Sequence, residues 1–166
     1  TLRETIHADR RRFPKWSMRM TFTSNHDENS WSESEFTRFG DALEPMAALT
    51  FLLPNALPLI YTGQEYGYDH SFSFFERDTM PAMEPNSFTE FYKTLCTLYH
   101  DHKALHSADE GGDFVEIINN APDCLLTFVR EKGDDRVVVI ANLSPYKIFG
   151  DFHTGIYAGE YIDAME

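Results

Sequence analysis

Apolar and polar positions along the chain change period several times, and each change predicts an element. Residues Thr1 to Arg12 are mostly polar and read as the end of a helix, stopped by Pro14. Met18, Met20 and Phe22 then alternate with Arg19 and Thr21, the period-two pattern of a short strand. From Ser24 to Glu35 the chain turns polar, which predicts a loop at the end of that strand. Leu43, Met46, Ala47, Leu49, Thr50 and Leu53 fall at helical spacing, and Pro45 is tolerated because it lies within the first turn. Pro54 and Asn55 end this helix. Leu57 to Tyr61 is a compact apolar run of the kind found in strands buried on both faces, and Gly63 closes it.

A loop is expected from about Tyr66 to Asn86, aromatic at first and then holding Pro81 and Pro85. Ser87 and Glu90 form a capping-box pattern that predicts a helix start. Phe88, Phe91, Tyr92, Leu95, Leu98, Tyr99 and His102 continue it as one apolar stripe. After Gly111 and Gly112 the character changes. Phe114 to Ile118, Cys124 to Arg130 and Arg136 to Asn142 are strand-like, with a turn at Lys132-Gly133-Asp134-Asp135, and Tyr157 to Ile162 is expected to add a further strand. The fold class is therefore α/β followed by antiparallel β. Two strands are too few for a parallel sheet covered on both faces, so the first half reads as a piece of something larger.

The formal net charge of −13 argues against nucleic-acid phosphates or an anionic membrane as the main partner and suits a neutral ligand. No apolar run approaches membrane-spanning length. Arg10, Arg11, Arg12 and Lys15 read as a solvated helix end. Cys96 and Cys124 fit neither a metal knuckle nor a redox pair and are expected to be free thiols. His100, His102 and His106 sit at spacings that point to different sides of a helix, so they read as a solvated helix end rather than metal ligands. Trp16 and Phe75 are expected in a core or interface.

The chemistry concentrates in Asn25-His26-Asp27-Glu28-Asn29-Ser30, just past the first strand. Such residues alone are common in turns, for local hydrogen-bonding reasons. The wider stretch Phe22-Thr23-Ser24-Asn25-His26-Asp27-Glu28-Asn29, however, resembles the fourth conserved stretch of the α-amylase family of glycoside hydrolases. Leu57 to Glu65, with its proline, Tyr-x-Gly and Gln-Glu ending, resembles that family's eighth barrel strand. Phe88 to Leu105 looks like the eighth barrel helix, and Val138 to Ser144 is similar to a strand of the family's C-terminal β-domain. The resemblance covers nearly the whole chain. It implies the C-terminal portion of a (β/α)8 barrel, its last two strand-helix units, over residues 1–107. A partial antiparallel β-sandwich domain follows over residues 108–166.

The resemblance also implies roles. Asp27 matches the carboxylate that stabilises the transition state, and His26 matches a histidine that binds the same sugar. Asn25 belongs with these substrate contacts, although shaping the turn is its more natural task; Trp16, Trp31 and Phe72 to Phe75 could stack on sugar rings, and of these Trp31, beside the His-Asp loop, is the best placed. An oxocarbenium-like transition state strengthens hydrogen bonds to the sugar's 2-hydroxyl, so a fixed carboxylate there raises the rate without attacking. Gln64 and Glu65 fit a structural network at the strand rim. The family's nucleophile motif is absent: Ala8-Asp9-Arg10 lies on a helix in the wrong order, and no strand glutamate stands upstream. The isolated chain is therefore expected to be inactive, a fragment of an enzyme acting on α-glucan oligosaccharides or polysaccharides. No cofactor is implied, because the family's calcium ligands come mainly from other segments. Bare barrel edges predict a homo-oligomer. The alternative is a non-catalytic relative acting as a sugar-binding or structural module.

Overall fold

A computed structural model describes residues 1–165 of the chain. Helix α1 (Leu2–Arg12) ends at Phe13, one residue before Pro14. Its basic last turn is not simply solvated, since the Arg10 guanidinium lies 4.9 Å from the Phe114 ring centroid. Strands β1 (Arg19–Thr21) and β2 (Ala56–Pro58) pair in parallel, with Met20 opposite Leu57. A parallel pair needs a long crossover. Here it consists of α2 (His26–Trp31), α3 (Glu35–Phe39) and α4 (Leu43–Leu52), with Pro45 in the first turn of α4 as its missing N–H requires.

Two expectations in this half are corrected. The stretch from Ser24 to Glu35 is not a plain loop: it contains α2 and the first residue of α3, because Asn25 and Ser34 each cap a short helix. The run Leu57 to Tyr61 is not a strand buried on both faces. Only Ala56–Pro58 is extended, and Leu57 is 45% exposed, because β2 has β1 as its sole strand partner among the described residues.

Helix α5 (Ser87–Asp101) starts one residue earlier than the pattern implies. Asn86, not Ser87, is the cap, and Thr89 returns the second bond of the box. Beyond it, β3 (Asp113–Glu116), β4 (Ile118–Asn119), β5 (Leu125–Lys132), β6 (Asp135–Asn142) and β7 (Phe152–His153) form two antiparallel sheets. The first has the order β3-β5-β6, and the second is the pair β4-β7. Gly133, at φ +62°, makes the tight β5–β6 turn. Tyr157 to Ile162 forms no strand; a 3-10 turn over Gly155–Tyr157 is followed by irregular chain, and Glu166 lies outside the described residues. Asp135 is a strand residue rather than a turn residue, and it explains one histidine. Its carboxylate meets His102 Nδ1 at 2.7 Å and accepts from the Ala104 N–H at 2.8 Å. Those hydrogen bonds outweigh the effect of burial and hold its pKa below the usual carboxylate value.

One apolar core serves both halves. Leu49 and Phe51 of α4, Tyr92 and Leu95 of α5, and Phe128 and Val139 of the β5–β6 pair belong to a single buried cluster. Polar ties cross at the same place. Arg130 of β5 is fully buried, and its Nη atoms donate to the carbonyls of Leu52 (3.1 Å), Leu53 (2.8 Å), His106 (3.0 Å) and Gly112 (3.4 Å). Two of those carbonyls lie at the C-terminus of α4, the end of a helix that favours a cation. Cys96 and Cys124 are unpaired.

Candidate functional site

The Asn25-His26-Asp27 stretch stands where the chain leaves β1, and a capped helix holds it. Asn25 is extended (φ −150°, ψ −176°), and its Oδ1 accepts from the backbone N–H of Asp27 (3.0 Å) and of Glu28 (2.7 Å). Its amide oxygen is thus committed to shaping the turn. His26 and Asp27 then occupy the first turn of α2 with side chains 73% and 58% exposed, and His26 Nε2 lies 3.5 Å from Asp27 Oδ2. Both project from an ordered frame and keep most of their hydrogen-bonding capacity free.

Beneath this surface lies a buried polar network. Thr23 Oγ1 donates to Glu35 Oε2 (2.6 Å), and Gln64 Nε2 donates to Thr23 Oγ1 (2.7 Å) and also to Glu35. The network joins the end of β1, the start of α3 and the 3-10 turn Gln64–Tyr66 that follows β2, so it sets the spacing of the two loops. Burial pushes the Glu35 carboxyl above its ordinary pKa, against the opposing effect of the Thr23 and Gln64 hydrogen bonds and the Arg38 charge. Burial, and then the neighbouring Glu35 charge, raises the Tyr92 phenol as well. Glu65 accepts from the Gly63 N–H at 3.1 Å, a local contact of the kind expected at the strand rim.

Trp31, the last residue of α2, is 64% exposed and packs against two further rings, Phe74 at 5.2 Å and Phe75 at 6.1 Å between centroids. Phe75 is 84% exposed, so it is not a core residue; Trp16, at 65%, is not one either. The His26 ring stacks toward Phe74 at 6.4 Å. The sequence left Phe72 to Phe75 open to stacking on sugar rings, but nothing in it placed Phe74 and Phe75 beside the His-Asp pair. Sequence reasoning also missed Glu35, which carries no local signal.

The two clefts of note, about 250 and 280 Å³, lie elsewhere, around Lys15, Asp113 and Gly112 where α1 meets the β sheet. Neither includes His26, Asp27 or Trp31, and their linings are charged and open. The candidate site is an open surface, not a cavity. Among the described residues no group of three or more His, Cys, Asp or Glu side chains is placed to hold a metal ion, and no helix is long and apolar enough to cross a membrane.

A parallel strand–helix–strand unit with a polar loop at its strand end, leading into an antiparallel module, defines a two-part α/β plus β chain. Known proteins share this arrangement. Residues 117–166 match the family described as the α-amylase C-terminal all-beta domain. α-Amylase 2 of Dictyoglomus thermophilum is 24% identical over 139 residues, an alignment covering 75% of this chain and 22% of that protein. The crystal structure of the noncanonic maltogenic α-amylase AmyB from Thermotoga neapolitana superposes with a TM-score of 0.69 at 20% identity, covering 86% of this chain and 32% of that one. The last likeness bears on the fold alone. The chain spans only about a fifth of the curated relative's length and a third of the solved structure's. The chain is thus similar to α-amylases over most of its length, and its last 50 residues match the family of their C-terminal all-beta domain.

Proposed function

We propose that this chain is part of an α-glucan-acting, retaining glycosidase to which it contributes one carboxylate and a sugar-binding surface, not the complete catalytic apparatus. The observation that carries this reading is the placement of Asp27: an exposed carboxylate on a capped turn at the C-terminal end of a parallel strand, with His26 beside it. Residues at that end of a barrel strand face the reaction centre. Asp27 would accept hydrogen bonds from hydroxyls of the sugar at the cleavage point as positive charge develops in its ring, and His26 would bind the same sugar.

The parallel β1–β2 pair with its helical crossover supports reading residues 1–107 as the last two strand-helix units of a (β/α)8 barrel. Residues 108–166 are then the start of the C-terminal β-domain. The outer edges of β1 and β2 have no strand partner among the described residues, and Met18, Met20 and Leu57 beside them are exposed. Such edges recruit strands, from the rest of a barrel or from a second copy. Retaining chemistry needs two carboxyl groups about 5–5.5 Å apart, a nucleophile and an acid/base, and no strand upstream of Asp27 carries a carboxylate to supply them.

The test is reducing-sugar release from soluble starch and pullulan by the chain alone and by a polypeptide extended upstream by about 250 residues, the size of such a barrel. Activity confined to the longer form and lost in Asp27→Asn is the expected result. Hydrolysis by the short chain would mean that the catalytic carboxylates lie within it. Two inert polypeptides would make the chain a non-catalytic relative.

A further inference from the structure

The charge of this chain is unevenly placed. Residues 1–19 hold six of the 14 Lys and Arg and two of the 27 Asp and Glu, a net charge of +4 in a chain whose total is −13. Arg10, Arg11 and Arg12 close α1, where the helix dipole, worth about half a charge, offsets only a fraction of them. Neighbouring acids do not neutralise them either. Arg19 pairs with Asp9, and Lys15 with Asp113 at 2.8 Å, but the guanidinium groups of Arg10, Arg11 and Arg12 have no carboxylate partner among the described residues. Arg10 lies over the Phe114 ring at 4.9 Å, and Arg12 and Arg19 lie over Phe13 at 5.3 and 5.1 Å. A guanidinium held over a ring keeps the N–H donors along its edge free for an anion.

Arg10, Lys15 and Arg19 line the cleft of about 280 Å³ between α1 and β3, at the end of β1 away from Asp27. Asn55 and Ala108 line it too. Asn55 Oδ1 accepts from the Ala108 N–H at 3.3 Å, and its Nδ2 has no acceptor among the described residues. Both residues sit at positive φ, 58° and 57°. Asparagine tolerates that region, whereas alanine is strained there, and such strain gathers at sites that need a fixed backbone. The adjoining cleft of about 250 Å³ shares Lys15 and Asp113 and adds Lys132, whose Nζ donates only to the carbonyls of Asp109 (3.0 Å) and Gly111 (3.3 Å). Glu131 at its edge is engaged by Arg136. Lys15, by its hydrogen bond and charge, and then Lys132 and Arg10, hold the Asp113 carboxyl below its ordinary pKa. Three cations thus converge on one carboxylate.

We propose that this cleft binds a phosphate-type oxyanion, free or as a monoester, with Arg10, Lys15 and Asn55 Nδ2 as donors and Lys132 at its rim. A tetrahedral dianion offers acceptors in several directions and suits donors that converge from α1, from the segment after it and from the turn before β2. A carboxylate offers its two oxygens in one plane. The charged, open lining gives a neutral ligand little to pack against. Bound there, the anion bridges α1 and β3 and ties the two halves of the chain together. It does so at the far end of β1 from Asp27, independently of any role of that residue.

The experiment is a chemical-shift titration of the full chain with inorganic phosphate, run against chloride at equal ionic strength. Saturable shifts are expected at the amides of Lys15, Asn55 and Gly112 and not at Asp27. Arg10→Gln should weaken binding about tenfold, the loss of one charge-assisted hydrogen bond, and Arg10→Lys should recover part of it. Lys132→Gln, on a different element, should weaken it about threefold through charge alone. Arg77→Gln, in the exposed loop after β2, should leave the Kd unchanged. Glycerol phosphate separates the two sources of the anion: tighter binding than phosphate marks an organic monoester, equal or weaker binding the free ion, and the site stands in both cases. Absence of saturable shifts, the same shifts with chloride, or an unchanged Kd in both Arg10→Gln and Lys132→Gln would overturn the proposal. So would phosphate that acts only by dissolving a dimer, which would assign the basic end to an acidic face of a second copy.

Discussion

Arg130 gives the most direct test of how the two halves of the chain are joined. Replacing it with methionine keeps a long apolar stem and removes the guanidinium that serves the carbonyls of Leu52, Leu53 and His106 at 2.8–3.1 Å. Three hydrogen bonds from a charged donor contribute about 1.5–3 kcal/mol each. Against that stands the cost of burying the charge without a carboxylate partner, visible as a pKa pushed down by desolvation to about 10. Relative to its ordinary value, that shift corresponds to about 3 kcal/mol. The remainder after this offset, with some water reaching the freed carbonyls, is a net loss of about 3 kcal/mol for Arg130→Met. For a chain of this size that is a fall in Tm of about 6–12 °C. Thermal unfolding followed by circular dichroism reads it, and a urea titration at low temperature covers a variant too weak to melt cleanly. Arg130→Lys should fall between, because a single ammonium lacks the fork that reaches both pairs of carbonyls. A Tm within about 2 °C of the parent for Arg130→Met would show that water or a repacked α4 terminus replaces the clamp without cost, and the reasoning would be refuted.

Two further outcomes follow from the site's supports. Glu35 is held above its ordinary pKa of 4.5, so the folded state binds more protons than the unfolded one as pH rises from there, and stability falls through that window until the folded pKa is passed. Glu35→Gln keeps an acceptor for Thr23 and is expected to flatten this limb and to be at least as stable at pH 7; urea midpoints between pH 4 and 8 measure it, and a variant uniformly weaker than the parent would refute it. Asn25→Ala removes the acceptor for two backbone donors at the start of α2 and should cost about 1 kcal/mol. Hydrogen exchange should quicken first at the amides of Asp27 and Glu28, and unchanged protection there would mean that the cap contributes nothing.

What was legible in the sequence and what was not divide along the range of the interaction concerned. Pro14, Pro45 and the stripe from Phe88 to Tyr99 act through the backbone and through periodicity, so α1, α4 and α5 fall close to where the pattern puts them. The alternation from Leu125 to Asn142 around Gly133 likewise yields the β5–β6 hairpin. Cap choice was harder, because Asn86 and Ser87 are both good caps and only the geometry of the incoming chain decides for Asn86. The burial of Leu57 was out of reach, since an apolar run reports what a strand tolerates and not whether a neighbour covers it. Asp135 and Arg130 show the same limit from the polar side. In sequence one belongs to a turn and the other to the end of a strand. Their partners lie more than thirty residues away for Asp135 and His102, and nearly eighty for Arg130 and Leu52.

The same division explains why His26 and Asp27 were visible while their setting was not. An exposed candidate pair is marked by the short stretch around it, here Phe22 to Asn29 with its resemblance to a family motif, and by position at a strand end, both of which are local. The groups that hold the pair in place, namely Glu35, Gln64 and Asn29, whose side chain grips the His70 carbonyl and the Phe72 N–H, work by burial and long-range contact. Each is polar and nearly inaccessible, a condition that becomes favourable only when every partner is present. A substitution in this hidden layer that removes a hydrogen-bonding partner, unlike Glu35→Gln, should therefore disturb stability and site geometry together, whereas one at the exposed Asp27 should change ligand handling and leave the fold as it is.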